Sequence, residues 1–251
     1  PYAITEKVIF CITRNADIAP AEEGFEEDFR TQMKKLLRQR PKLAPVRLEL
    51  SCPISNHFIQ YFCEKLQLGK KQLYVTSSPM QMHDVFSLQD RLPPALRQEL
   101  TYPPFQPQPP AGVLPKESML RQVMKRDVLL SYPYETMEPF LQMLREAASD
   151  PAVLSIKITI YRLARQAKLV EYLCAAAENG KDVTVMIELR ARFDEQNNID
   201  WSQRLEEAGC RILYGFDSYK VHSKICLITR RERNGIAYIT QVGTCLLYTS
   251  D

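Results

Sequence analysis

Leu154-Ser155-Ile156-Lys157-Ile158-Thr159-Ile160 alternates apolar and polar side chains, the period-two pattern of a strand with one face in a core. Leu169 to Glu178 follows as a helix closed by Asn179-Gly180, where glycine accepts the left-handed angle that ends a helix. Val183-Thr184-Val185-Met186-Ile187-Glu188-Leu189 is apolar enough for an interior strand. A short helix around Trp201 to Ala208 stops at Gly209, and Arg211-Ile212-Leu213-Tyr214 reads as a third strand. Upstream, Thr136 can cap a helix that carries Pro139 in its first turn and Phe140, Leu141, Leu144, Ala147 and Ala148 on its apolar face. This rhythm predicts an α/β fold, a mostly parallel sheet with helical crossovers. A strand holding His222 and a strand over Ala237 to Val242 would close it as a terminal hairpin through Asn234-Gly235.

Toward the N-terminus, Pro93 to Pro115 holds eight of the seventeen prolines. Proline lacks the amide donor and restricts its predecessor, so residues 93–115 read as a semi-extended linker without a helix. A docking motif for a proline-binding module is the alternative. Before it, residues 1–92 alternate strand and helix as a smaller α+β domain. Strands are expected at Val8 to Ile12, Val46 to Leu50 and Leu73 to Val75. One helix is spaced by Phe25, Phe29, Met33, Leu36 and Leu37, and another by Phe58, Ile59, Phe62, Cys63 and Leu66, ending at Gly69. Residues 116–251 form the second domain. His57 and His83, both in the first, read as structural or surface residues.

Hydrophobic residues make up 45% and charged residues 25% of the chain, the balance of an ordinary globular protein. A net charge of +3 is too small to call for a nucleic-acid or membrane partner. No apolar run approaches the roughly 18–20 residues of a bilayer-spanning helix, so no transmembrane segment is expected. The chain opens on Pro1 without a basic start or an apolar signal core, which suggests a piece of a longer or processed product. The seven cysteines form no C-x-x-C pair; Cys11, Cys63, Cys174 and Cys226, each inside an apolar segment, read as free, buried thiols of a reducing cytoplasm. No zinc site is expected from them.

Chemistry concentrates in the second domain. Lys220-Val221-His222-Ser223-Lys224 sets one imidazole between two lysines, running into Ile225-Cys226-Leu227-Ile228. Neutral imidazole is a competent nucleophile near neutral pH, and flanking ammonium groups draw an anionic electrophile such as a phosphoryl group. Ligands of α/β sheets gather beyond the carboxyl ends of strands, where Arg162 follows Ile160 and Arg190 and Arg192 follow Leu189. Guanidinium groups bind phosphate bidentately, and with Lys224 they can spread the charge of a transferring phosphoryl group. The plainer reading pairs Arg190 and Arg192 with Asp194 and Glu195 in a solvated loop.

Four motifs, in order, resemble the catalytic core of type 1 polyphosphate kinases. They are Arg126-Asp127-Val128-Leu129-Leu130-Ser131-Tyr132-Pro133-Tyr134, Ile156-Lys157-Ile158-Thr159-Ile160-Tyr161-Arg162, Glu188-Leu189-Arg190-Ala191-Arg192-Phe193-Asp194-Glu195 and Lys220-Val221-His222-Ser223-Lys224. The likeness runs from about Arg126 to Thr244, and residues 1 to about 112 resemble more loosely the later part of that family's head domain. It implies a phospholipase D-like catalytic core, with His222-Ser223-Lys224 as its His-x-Lys; Thr229 stands where related hydrolases place an aspartate.

The resemblance also implies reversible transfer of the ATP γ-phosphate to inorganic polyphosphate through a phosphohistidine at His222. ATP, ADP and polyphosphate are then the partners, and Mg2+ the cofactor. Arg162 and Arg192 correspond to the two arginines of the family's magnesium–phosphate site. A guanidinium has no lone pair to offer a metal, so both are read as phosphate clamps around an ion held by phosphate oxygens and water. A cytoplasmic location follows, peripheral attachment at the inner membrane face included, as does self-association of the full-length protein. After Val242-Gly243-Thr244 the family continues with Gly-Asn, whereas this chain reads Cys245-Leu246-Leu247-Tyr248-Thr249-Ser250-Asp251. A second family histidine, expected as the acid for the leaving group, falls beyond that point. Little turnover is therefore expected of residues 1–251 alone. Two other readings share these residues: a phospholipase D-type phosphodiesterase using His222, and a non-catalytic polyanion-binding module relying on Arg162, Arg190, Arg192, Lys220 and Lys224.

Overall fold

The structure, a computed structural model, describes residues 3–15, 29–82, 84–164, 167–189, 191, 194–215 and 221–243. The chain divides into two compact units, residues 1–26 with 35–104 and residues 27–34 with 105–251. The division at Pro104/Phe105 falls inside the proline-rich stretch.

In the first unit, β1 (Phe10–Arg14), β2 (Pro45–Leu50) and β3 (Leu73–Val75) form a three-stranded sheet, antiparallel between β1 and β2 and parallel between β2 and β3. Helix α1 (Phe29–Gln39) gives its first residues to the second unit and the remainder to the first. Leu48, Leu50, Phe62 and Leu68 are the buried centre, with Phe62 supplied by α2 (Asn56–Leu66). The Ser55 hydroxyl caps α2 by accepting from Phe58 N at 3.3 Å. Its C-terminal left-handed residue is Gln67 at φ 55°, not the expected Gly69. The helix thus stops at Leu66, where its apolar stripe ends, three residues before glycine. Two short helices follow, α3 (Val85–Arg91) and α4 (Pro94–Leu100). Helix α4 corrects the helix-free reading of the proline-rich stretch: Pro93 and Pro94 sit at its N-terminus, where a missing N–H is no loss.

The second unit holds α5 (Met119–Lys125), α6 (Glu138–Ser149), β4 (Val153–Ile160), α7 (Lys168–Glu178), β5 (Asp182–Ile187), α8 (Glu195–Glu207), β6 (Arg211–Tyr214), β7 (Lys224–Glu232) and β8 (Gly235–Gly243). Ile156, Ile158 and Ile160 of β4 are buried while Lys157 is exposed, as the alternation requires. Leu144 of α6, Leu169 and Leu173 of α7 and Leu205 of α8 complete this core. Helix α8 starts at Glu195, six residues before the expected start at Trp201, with Asp194 at its N-cap and Glu195 favoured beside the positive helix end.

The sheet order is β6-β5-β4-β7-β8. Strands β4, β5 and β6 run parallel, but β7 is antiparallel to β4 and β8 to β7. The sheet is therefore mixed rather than mostly parallel. Residues 215–223 are the whole connection from β6 to β7, too short for the crossover of about a dozen residues that parallel pairing needs. The hairpin loop is Arg233-Asn234 rather than Asn234-Gly235, and Gly235 opens β8 at φ 141°. Among the described residues no helix is long and apolar enough to cross a membrane. Cys174, Cys210 and Cys226 are buried free thiols, whereas Cys11, Cys52 and Cys63 are only half-buried, which corrects the reading for Cys11 and Cys63. Burial pushes the Cys210 and Cys226 thiols up to about 12, which keeps them protonated and unreactive.

Glu146 of α6 pins α5. Its carboxylate accepts from Ser118 Oγ at 2.7 Å, Met119 N and Leu120 N at 3.0 Å, and Gln142 Nε2 at 2.7 Å. Burial raises its pKa, but the hydrogen bonds outweigh burial and hold it below the usual 4.5. The stabilisation is present above the unfolded value and is lost as pH falls through the lowered folded one. Glu146→Ala should weaken α5 by about 1–2 kcal/mol. Amide exchange at Met119 and Leu120, read at neutral pH, should rise about five- to thirtyfold. Unchanged exchange would show that the cap carries no weight.

Candidate functional site

The antiparallel entry into β7 brings its N-terminal end to the edge where β4 and β5 finish. His222 is not itself in a strand; residues 221–223 approach β7 irregularly because side chains replace the sheet ladder there. Glu188 Oε2 accepts from Val221 N at 2.8 Å. The Thr159 hydroxyl donates to Ser223 O at 2.7 Å and accepts from Ile225 N at 3.0 Å. The segment is pinned on both sides of His222, whose side chain is exposed.

Lys224, the first residue of β7, is only 3% exposed. Its Nζ donates to His222 O at 2.5 Å and lies 5.1 Å from the centroid of the Tyr161 ring. That ring meets the His222 imidazole at 5.0 Å between centroids and 74° between planes. Arg162, next along the chain, carries its guanidinium carbon 5.6 Å from the same centroid. Arg162 Nε is 3.0 Å from Asp194 Oδ2, an ion pair by distance. Asp194, which the plainer reading pairs with Arg190 and Arg192, meets Arg162 here, while Arg190 and Arg192 lie outside the described residues.

Asn198 of α8 ties the strand ends together. It is fully buried, and its Nδ2 donates to Tyr161 O and Glu188 O, both at 2.8 Å. The arrangement offers an accessible imidazole beside two fixed cations, a site suited to an anionic electrophile.

Of the expected site residues, His222, Arg162 and Lys224 gather around Tyr161. Arg192, with Arg190 and Lys220, lies outside the described residues. His57 is exposed on α2, and His83 is likewise outside the described residues. The motif from Arg126 to Tyr134 makes contacts elsewhere, Arg126 to the Gly112 carbonyl and Tyr134 to Phe105 with ring centroids 6.0 Å apart. Sequence pattern assigns no role to Tyr161, Glu188 or Asn198. Glu188 carried a signal, since a carboxylate closing an apolar strand is buried only with donors at hand.

The polyphosphate kinase C-terminal domain 1 profile matches residues 118–250, and the polyphosphate kinase middle domain profile matches residues 1–88. The polyphosphate kinase of Staphylococcus epidermidis is 37% identical over 244 residues, covering 97% of this chain and 33% of that protein. That of Pseudomonas aeruginosa is 38% identical over 235 residues, 94% of this chain and 34% of the relative. The crystal structure of polyphosphate kinase from Porphyromonas gingivalis superposes with a TM-score of 0.62 at 29% identity, covering 75% of this chain and 28% of the other. The chain spans about a third of the length of the curated relatives it matches. With both domain profiles matched in order, the chain belongs to the polyphosphate kinase family.

Proposed function

We propose that this chain carries the phosphohistidine centre of a polyphosphate kinase, with His222 as the nucleophile. The observation that carries the reading is the gathering of His222, Arg162 and Lys224 around one tyrosine ring at the edge where β4 and β5 end. In the first step an imidazole nitrogen attacks the γ-phosphorus of ATP in line. An N–P bond forms, the bridging O–P bond breaks and ADP leaves. In the second step a terminal oxygen of polyphosphate attacks the same phosphorus, the N–P bond breaks and the chain grows by one unit. Arg162 and Lys224 stabilise charge on the transferring oxygens, with Arg192 assigned alongside them by its motif. The His222-Ser223-Lys224 frame supports a phospholipase D-like ancestry for this core.

Mg2+ is assigned to the nucleotide phosphates, whose charge it would neutralise. The described side chains do not fit a protein-held ion: among them no three His, Cys, Asp or Glu converge, and Asp194 faces Arg162.

The test is incubation of a full-length family member carrying this segment with γ-labelled ATP. Protein-bound label that is lost in acid and kept in alkali, and chased into polymer by added polyphosphate, is the expected result. Label that is stable to acid, or that does not chase, would overturn the reading. The 251-residue chain alone should make no measurable polymer from ATP, because two thirds of its relatives' length is not in it. Polymer synthesis by this chain would refute that expectation.

A further inference from the structure

We infer that Tyr161 is a positioning residue, its ring setting the imidazole of His222 within the cationic cluster. The backbone around His222 is pinned at Val221 N, His222 O and Ser223 O. None of these bonds fixes the two torsions of the exposed imidazole. The Tyr161 ring does restrict them, meeting the imidazole at 5.0 Å and 74°, the edge-to-face range that aromatic pairs prefer. Such a contact favours one rotamer by roughly two- to tenfold.

The ring is itself anchored. Tyr161 directly follows Ile160, the last residue of β4, and its carbonyl is held by the buried Asn198 at 2.8 Å. The Lys224 and Arg162 cations lie within about 6 Å of its centroid, the reach of cation–π attraction. One half-buried aromatic surface therefore sets the spacing of the nucleophile and both cations. Among the described residues the Tyr161 hydroxyl makes no hydrogen bond, so the ring and not its oxygen carries the role. The consequence for rate rests on the phosphohistidine reading; the geometric claim does not.

The test is carbon-resolved proton NMR of the imidazoles in this chain, which has three histidines. The His222 signal, assigned by its loss in His222→Asn, should carry a ring-current shift. Tyr161→Leu should move it toward the value of a free imidazole, and Tyr161→Phe should hold it near its original position. The His57 signal, from α2 of the other unit, should stay put in both variants as an internal reference, and unchanged backbone amide signals of β4 and β7 should report that the second unit is intact. A His222 signal unmoved by Tyr161→Leu, or moved equally by Tyr161→Phe, would overturn the inference.

In a full-length family member carrying this segment, Tyr161→Leu should slow labelling from ATP about two- to tenfold, the rotamer preference that is lost. Tyr161→Phe should recover most of that loss. Undiminished labelling in Tyr161→Leu would remove the positioning role even if the signal shifts. Failure of the unsubstituted protein to label would sink the functional reading while leaving the NMR result standing.

Discussion

His222→Ala in a full-length family member carrying this segment should abolish acid-labile phosphate incorporation from ATP. The expected loss is on the order of 10⁴-fold or more, because the group that bonds to phosphorus is gone and cannot be replaced by a neighbour. Lys224 is buried, with Nζ on the His222 carbonyl, and Arg162 is a permanent cation; neither substitutes as a nucleophile. His57→Ala is the matched control and should label normally, since His57 is exposed on a helix of the other unit. Binding of polyphosphate should fall far less than labelling, because the cations that attract it remain. Persistent label in His222→Ala would move the nucleophile elsewhere. No acid-labile label in the unsubstituted protein, with salt-sensitive polyphosphate binding that His222→Ala leaves unchanged, would favour a polyanion-binding module instead.

A second large effect is expected at a residue that touches no substrate. A Cβ at Gly215, just after β6, would stand 2.8 Å from Val221 Cγ2 and 3.6 Å from Glu188 Oε2. No left-handed backbone angle demands glycine there; only space does. Valine is stiff at its first side-chain torsion, so it cannot swing aside cheaply. Val221 is buried and its amide is held by Glu188 at 2.8 Å, so relief must move the backbone that carries His222. Gly215→Ala should therefore slow labelling about a hundredfold, the usual cost of displacing a reacting group by about an ångström. The stability loss should be about 1–3 kcal/mol, as for other overpacked sites. Adding Val221→Ala to the same protein should return much of the rate by restoring the space. A Gly215→Ala protein that labels at the original rate would show that the His222 segment is not held as described.

The elements that local pattern announced are those whose burial repeats with the period of the backbone. Strands β4 and β6 came out within a residue of expectation, β4 because each side chain's side of the sheet is written in the alternation, and β6 because a short apolar run follows the glycine that ends the preceding helix. Helix α7 did too, since an apolar stripe and a closing Asn-Gly mark both ends. Element ends were less legible. Gln67 rather than Gly69 takes the left-handed position, and Pro93-Pro94 opens a helix instead of excluding one. The local rules name residues able to occupy such positions, not the one that the packing selects.

The order of residues alone thus gave the family motifs, the strand and helix rhythm and four candidate groups, His222, Arg162, Arg192 and Lys224, of which Arg192 lies outside the described residues. Folding in three dimensions decided how the other three meet. Alternation says which face of a strand is covered but nothing of its neighbour, so the antiparallel return of β7 depended on the short connection from β6. That return carries the imidazole to the ends of β4 and β5, where Glu188 binds an amide 33 residues away and Tyr161 touches a ring far along the chain. Contacts between distant residues leave no periodic trace in a sequence, which is why the tyrosine at the centre of the cluster became visible only once the chain was folded.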